Sequence, residues 1–236
     1  MKRSLCLLSV LLIVALWFAS FAVAVAGEDK FPTKENPLIV DKEGKRVIIY
    51  TEVSGKNLHE TNPHWGIVFK DGKLGDQAIL RAYAPHLAFH DALVEIGARP
   101  GNNLTKDVLD VPVAGDRLEV TATWPGLGKE LKLTDIFYDK TGKGFDIKFG
   151  GNRKASEEYH TGCITCLESC WIAITSNANY PNISSTKRAL SPNSHFKGVE
   201  AVLPGADQPV ILIYHLVSPA QANSTSSHLA SALQME

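Results

Sequence analysis

Charge is missing from the start of this 236-residue chain: after Lys2 and Arg3 no charged residue occurs until Glu28. A basic excess is missing from the rest. With Lys2 and Arg3 set aside, the 24 basic residues become 22, against 25 acidic ones. That balance argues against a general nucleic-acid binder, which neutralises phosphates with Lys and Arg. Cysteine is scarce at four, and Cys6 falls in the uncharged run that follows Arg3, so an odd set of three remains. The catalytic signatures are sparse too. There is no nucleophile elbow, and Gly150-Gly151 lacks the spacing and the Lys-Ser or Lys-Thr of a phosphate loop. His86 is followed by Leu87 rather than Glu, so the H-E-x-x-H arrangement is absent. Asp135, Asp139 and Asp146 lack calcium-loop spacing, and no internal repeat is visible.

The leader has the three parts of an export signal: the positive Lys2-Arg3, an apolar run from Leu5 to Phe21, and the small-residue site Ala24-Val25-Ala26. Cleavage after Ala26 starts the mature chain at Gly27. The rival is a retained anchor, because an uncharged run of about 20 residues spans a bilayer as a helix. Without residues 1 to 26 the apolar content falls from 44% to roughly 40%, an ordinary soluble composition. The expectation is export by general secretion to the periplasm or beyond, with any cofactor acquired there. The leader, if uncleaved, is the sole membrane contact.

Order is expected to begin near Pro37. Leu38 to Val40 and Arg46 to Val53 predict a β-hairpin whose five-residue loop offers Gly44 for a positive φ. Trp65 to Phe69 predicts a strand ending at Asp71-Gly72. Asp76 is expected to cap a short helix with Ile79, Leu80 and Tyr83 on one face. Pro85 opens a second, with Phe89, Leu93 and Ile96 as its core stripe and Gly97 as its stop. Strands follow at Arg117 to Thr123, Lys129 to Tyr138, Trp171 to Thr175, Val199 to Leu203 and Val210 to Val217, with a polar loop from Ser176 to Ser194. The reading is one α+β domain over residues 37–217, mostly antiparallel sheet with two or three short helices in the N-terminal half. A flexible tail over 218–236 follows it.

The sharpest chemical feature is the run from His160 to Cys170, in which Cys163, Cys166 and Cys170 form C-x2-C-x3-C with a histidine three residues ahead. A turn or single helical coil at this spacing brings the sulfurs to one side, where they can hold a soft ion. His160 can complete a four-ligand zinc or iron set, or the cysteines can hold an iron–sulfur cluster with an outside fourth ligand. Two other readings stand beside it: a local disulfide with a spare thiol, suited to an oxidising compartment, and thiol exchange at Cys163 and Cys166. A second constellation comprises His59-Glu60, His64, and the helical pair His86 and His90. His59 or His64 with His90 would make a further metal site if the fold joined them.

The stretch from His59-Glu60-Thr61 through Ala88-Phe89-His90-Asp91-Ala92-Leu93-Val94-Glu95-Ile96-Gly97-Ala98-Arg99-Pro100-Gly101 resembles the YdjY-domain family of bacterial exported proteins. In that family an early His-Glu element precedes a helix ending in a Gly-Ala-Lys/Arg-Pro-Gly turn. Some relatives carry a ferredoxin-like label that goes with a similar cysteine cluster. The resemblance implies export and a metal role rather than a known reaction, and the ferredoxin run's fourth cysteine is missing here. The resulting expectation is an exported protein that binds a transition metal or iron–sulfur cluster and acts in electron transfer or metal handling. Its partner would be an envelope redox or metal-handling protein. The alternative is a disulfide-stapled envelope module that works by protein contact.

Overall fold

Val47, Ile49 and Val53 lie at odd positions of one apolar run and turn into the main core, while Ile48 and Tyr50 join a smaller cluster on the opposite face. This is the two-residue alternation of a pleated strand. The computed structural model describes residues 31–58, 64–184 and 196–218. In it the run is β2 (Arg46–Val53), paired antiparallel with β1 (Leu38–Asp41). The Asp41 carboxylate holds the turn between them, accepting the Gly44 N–H at 2.8 Å and the Arg46 side chain at 2.6 Å. The positive φ falls on Lys45, at 50°, rather than on Gly44. Gly44 serves close approach instead, since a Cβ there would lie 2.4 Å from Asp41 Oδ2.

The other strands are β3 (Trp65–Phe69), β4 (Leu80–Ala82), β5 (Arg117–Thr123), β6 (Leu131–Lys132), β7 (Phe137–Asp139), β8 (Ile147–Phe149), β9 (Cys163–Cys166), β10 (Thr175–Asn177), β11 (Phe196–Gly198) and β12 (Pro209–Leu216). The helices are α1 (Gly55–Leu58), α2 (His86–Glu95), α3 (Leu133–Ile136) and α4 (Arg153–Tyr159). The sheet runs β2-β12-β5-β8-β10-β9-β3-β4, and β4 pairs back onto β2, so eight strands close into a barrel. Two contacts, β9 with β10 and β3 with β4, are parallel and the rest are antiparallel. β1 and β6 attach to the outside of the ring, and β7 with β11 forms a small second sheet. The architecture is α+β, a mixed barrel with added helices.

The barrel core takes Leu118, Val120 and Ala122 from β5 and Val210, Leu212 and Tyr214 from β12, and α2 lays Phe89 and Leu93 against it. Phe89 meets the Tyr214 ring edge-on at 4.7 Å. Each such side chain stabilises the fold by about 1.5–3 kcal/mol on burial. α2 stops at Gly97, whose φ of 92° is the left-handed closure a glycine supplies at little cost. Beyond it Arg99 pairs with Asp116 and the Gly101 N–H bonds Phe149 O at 3.0 Å. The Gly-Ala-Arg-Pro-Gly turn thus bolts α2 to the sheet.

Several expected elements differ. Asp76 lies in a single 3-10 turn, Gly75–Gln77, and Leu80 belongs to β4, because the chain there fills the gap between β3 and β2. The helices are not confined to the N-terminal half, since α3 and α4 lie beyond it. The strand expected over Lys129 to Tyr138 is broken by α3, whose Leu133 and Ile136 turn into the core. The strand expected from Trp171 begins only at Thr175, and Val199 to Leu203 is a turn following β11. The leader, most of the tail, and residues 185–195 of the polar loop lie outside the described residues.

Candidate metal centre

Cysteines three apart on a regular strand face opposite sides. In β9 they do not, because the strand carries a bulge. Cys163 pairs with Val68 and Thr165 with Ile67, which leaves Ile164 as the extra residue. Ile164 joins the barrel core. Thr165 is held at the same face by hydroxyl contacts to Thr175 Oγ1 at 2.7 Å and Tyr214 Oη at 2.8 Å. Cys163 and Cys166 therefore share the other face, in a separate cluster with Val68, Ala78, Cys170 and Ala173, against which Trp65, Leu74 and Ile172 pack.

The chain after β9 bends back so that Cys170 meets Cys166, and buried polar groups fix the bend. The Asn177 amide donates to Leu167 O at 3.1 Å. Ser169 Oγ accepts the Val113 N–H at 2.8 Å and donates to Asn177 O at 3.2 Å. The Asn152 amide donates to Cys170 O at 3.1 Å and Ala173 O at 3.0 Å. His64 enters from the residue before β3. Its carbonyl accepts the N–H groups of Gly66 at 3.0 Å and Leu167 at 2.8 Å, which ties it to the end of β9.

The outcome is a buried donor group: one ring nitrogen of His64 and the sulfurs of Cys166 and Cys170 all lie within 4.8 Å of one another. His64 is 5% exposed, Cys166 0% and Cys170 1%, so bulk water is excluded. All three cysteines stand as thiols. Hydrogen bonds from Cys163 and Cys170, then burial, push the Cys166 thiol well above its ordinary range. Cys163 thus touches Cys166 while lying outside the mutual group. Neutral imidazole and thiolate sulfur are ligands for zinc and other soft or borderline ions, and this group could hold one.

The remaining histidines go elsewhere. His160 is exposed at the C-terminus of α4 with φ 50°, and it does not join the cysteines. The sequence places it three residues from Cys163, but its left-handed backbone and the following strand carry it away from the sulfur face. His90 bonds Asp91 at 2.9 Å and packs edge-on against Phe149 at 5.1 Å. His59 lies outside the described residues. His64 pairs with the cysteines rather than with His90. The sequence signal for this was present but weak: a histidine beside Asn62-Pro63, immediately ahead of an apolar strand. His86 is buried under Phe69, and burial first, then His160, lowers its basicity against opposing effects of the Ser156 carbonyl and Glu157.

Comparison with known proteins agrees with the motif reading. The YdjY domain model matches residues 38–215, which include all of the barrel but its last residue, Leu216, and all three buried cysteines. A protein of Escherichia coli (strain K12) named uncharacterized protein YdjY is 38% identical over 173 residues, covering 73% of this chain and 75% of that protein. No solved structure matches the chain significantly. The barrel with its His64, Cys166 and Cys170 group is accordingly a feature of a chain that belongs to the YdjY domain family.

Proposed function

We propose that this is an exported protein that holds one transition metal ion, of the zinc class, through His64, Cys166 and Cys170, with Cys163 as the neighbouring fourth donor. The observation that carries the reading is that three buried donor atoms all lie within 4.8 Å of one another. Ligands at about 2.0–2.3 Å from one tetrahedral ion stand roughly 3.5–4 Å apart, so this group needs only a small contraction. An iron–sulfur cluster spreads its sulfurs over several irons and asks for a wider cage. Export, read from Lys2-Arg3 and the apolar run to Phe21, supports capture of the metal outside the cytoplasm. With the donors closed off from water, metal handling in concert with an envelope partner fits better than hydrolysis, which keeps an open coordination position.

Cobalt(II) titration of the purified mature chain tests this. Thiolate-to-cobalt charge-transfer absorption at one equivalent is expected in the wild type, with loss in Cys166→Ser and Cys170→Ser and at least tenfold weaker binding in His64→Ala. Circular dichroism of each variant establishes that the barrel persists. Full charge-transfer intensity in folded Cys166→Ser and Cys170→Ser, or none in the reduced wild type, would overturn the reading.

A further inference from the structure

Cys163 and Cys166 belong to one strand, and the ladder sets their spacing. Cys163 stands opposite Val68 and Cys166 opposite Trp65 on β3, so their α-carbons span three residues of strand, about 10 Å. A disulfide joins α-carbons about 4.4–6.8 Å apart, which excludes this pair while β9 stays in its sheet. Cys170 is placed differently. It lies in the segment between β9 and β10, its N–H donates to Ser176 Oγ at 3.4 Å, and Ser176 is the β10 residue that pairs with Cys166. The sulfurs of Cys166 and Cys170 lie within 4.8 Å of one another, both as thiols. Cys166 has ladder partners at both edges of β9, whereas Cys170 sits on a bend, so Cys170 can make the remaining approach.

We propose that Cys166 and Cys170 form a redox pair whose closure to a disulfide empties the metal centre and leaves Cys163 as a thiol; this rests on the metal reading above. The oxidant is a small disulfide of the glutathione class. At 0% and 1% exposure neither sulfur meets it in the closed fold, so reaction follows opening of the bend and begins at Cys170. The Cys170 thiol gives up its proton and attacks one sulfur of the oxidant; the new S–S bond forms as the old one breaks, and one glutathione leaves with the electron pair and takes a proton. Cys166 then attacks the Cys170 sulfur, and the second glutathione leaves in the same way. Two protein thiols are oxidised by two electrons, and one disulfide is reduced to two thiols. The thiolate, not the disulfide, is the metal ligand, so the buried group loses both of its sulfurs. An ion that binds only the dithiol form opposes the closure by the same linkage.

The test incubates reduced, metal-free protein with glutathione disulfide, alkylates it under denaturing conditions and maps the peptides by mass spectrometry. A Cys166–Cys170 bridge is expected, with Cys163 alkylated, the cobalt–thiolate absorption lost, and both changes reversed by dithiothreitol. One equivalent of zinc added beforehand should leave all three cysteines alkylated. Folded Cys166→Ser should stop at a mixed disulfide of glutathione on Cys170, while folded Cys170→Ser should leave Cys166 alkylated. A bridge that includes Cys163, three alkylated cysteines in the absence of zinc, or a bridge that forms just as fast with zinc bound would overturn the inference, and cobalt absorption in the reduced protein would then keep the metal reading standing. A Cys166–Cys170 bridge in a protein whose reduced form gives no cobalt absorption would instead remove the metal reading, and the inference with it.

Discussion

At the scale of single residues, the choice between His64 and His160 shows how local backbone decides chemistry. His160 is nearer to Cys163 in sequence, but its φ of 50° ends α4 and leaves the ring exposed. His64 lies about a hundred residues from the cysteines and reaches them because its carbonyl is tied to Leu167. Asp91 is a residue of the opposite kind, with a role that is structural and electrostatic. The Arg153 guanidinium first, then His90, hold its carboxyl down at about 2, below the ordinary range near 3.9. Its folded value is depressed, so its contribution is complete above about pH 4 and is lost as pH falls through about 2. Asp91 is 57% exposed, and solvent screening limits the pair to less than about 1 kcal/mol. Asp91→Asn should therefore lower the urea midpoint slightly at pH 6, with the gap to wild type closing near pH 2. A gap that persists undiminished at pH 2 would show that the carboxylate charge is not its source.

At the scale of elements, the site depends on one bulge and one loop. The bulge at Ile164 sets Cys163 and Cys166 on a common face, and the loop from Leu167 to Ala173 returns Cys170 to them. Asn152, itself at φ 50°, satisfies two carbonyls of that loop. Asn152→Ala takes the amide from both, leaving Cys170 O with the Ala173 N–H at 3.3 Å, and an under-bonded buried carbonyl costs about 1–3 kcal/mol. Equilibrium denaturation should show a midpoint drop of that size with an unchanged m-value, whereas a loss under about 0.5 kcal/mol would mean that the loop is held by other bonds. These two elements also mark the limit of what the sequence made legible. The hairpin, β3, α2, β5 and β12 follow from alternation and helical spacing, because each has one clear apolar face. The cysteine run does not, since its ordinary reading is a turn. Only pairing with β3 reveals that Ile164 is an extra residue in a strand. The helix expected at Asp76 fails for a related reason: Ile79 and Leu80 are apolar because strands and core surround them on several sides, and such burial imitates a helical stripe. The three cysteines were legible as a cluster from their spacing, while the histidine beside them was fixed by a tertiary hydrogen bond that spacing cannot express.

At the scale of the whole molecule, closure of the barrel frames the site. β9 lies between β10 and β3 in the ring, so both of its edges are paired and the sulfur face is held by backbone on two sides. The Thr165 hydroxyl adds a bond across the core to Tyr214 on β12. Donors on such a scaffold would be positioned before an ion arrives, so little chain entropy would be lost on binding. Among the described residues no helix is long and apolar enough to cross a membrane. The Gly97 to Gly101 turn belongs to this scaffold rather than to the chemistry, because it fixes α2 to the start of β5 and to β8 through Arg99 and Gly101. The central claim is that the intact, reduced chain binds one metal ion through thiolate and imidazole. X-ray absorption at the zinc edge of the protein carrying one equivalent tests it most directly. The account predicts a four-coordinate shell with two or three sulfurs at about 2.3 Å and an imidazole nitrogen at about 2.0 Å, and a shell of oxygen and nitrogen alone would contradict it.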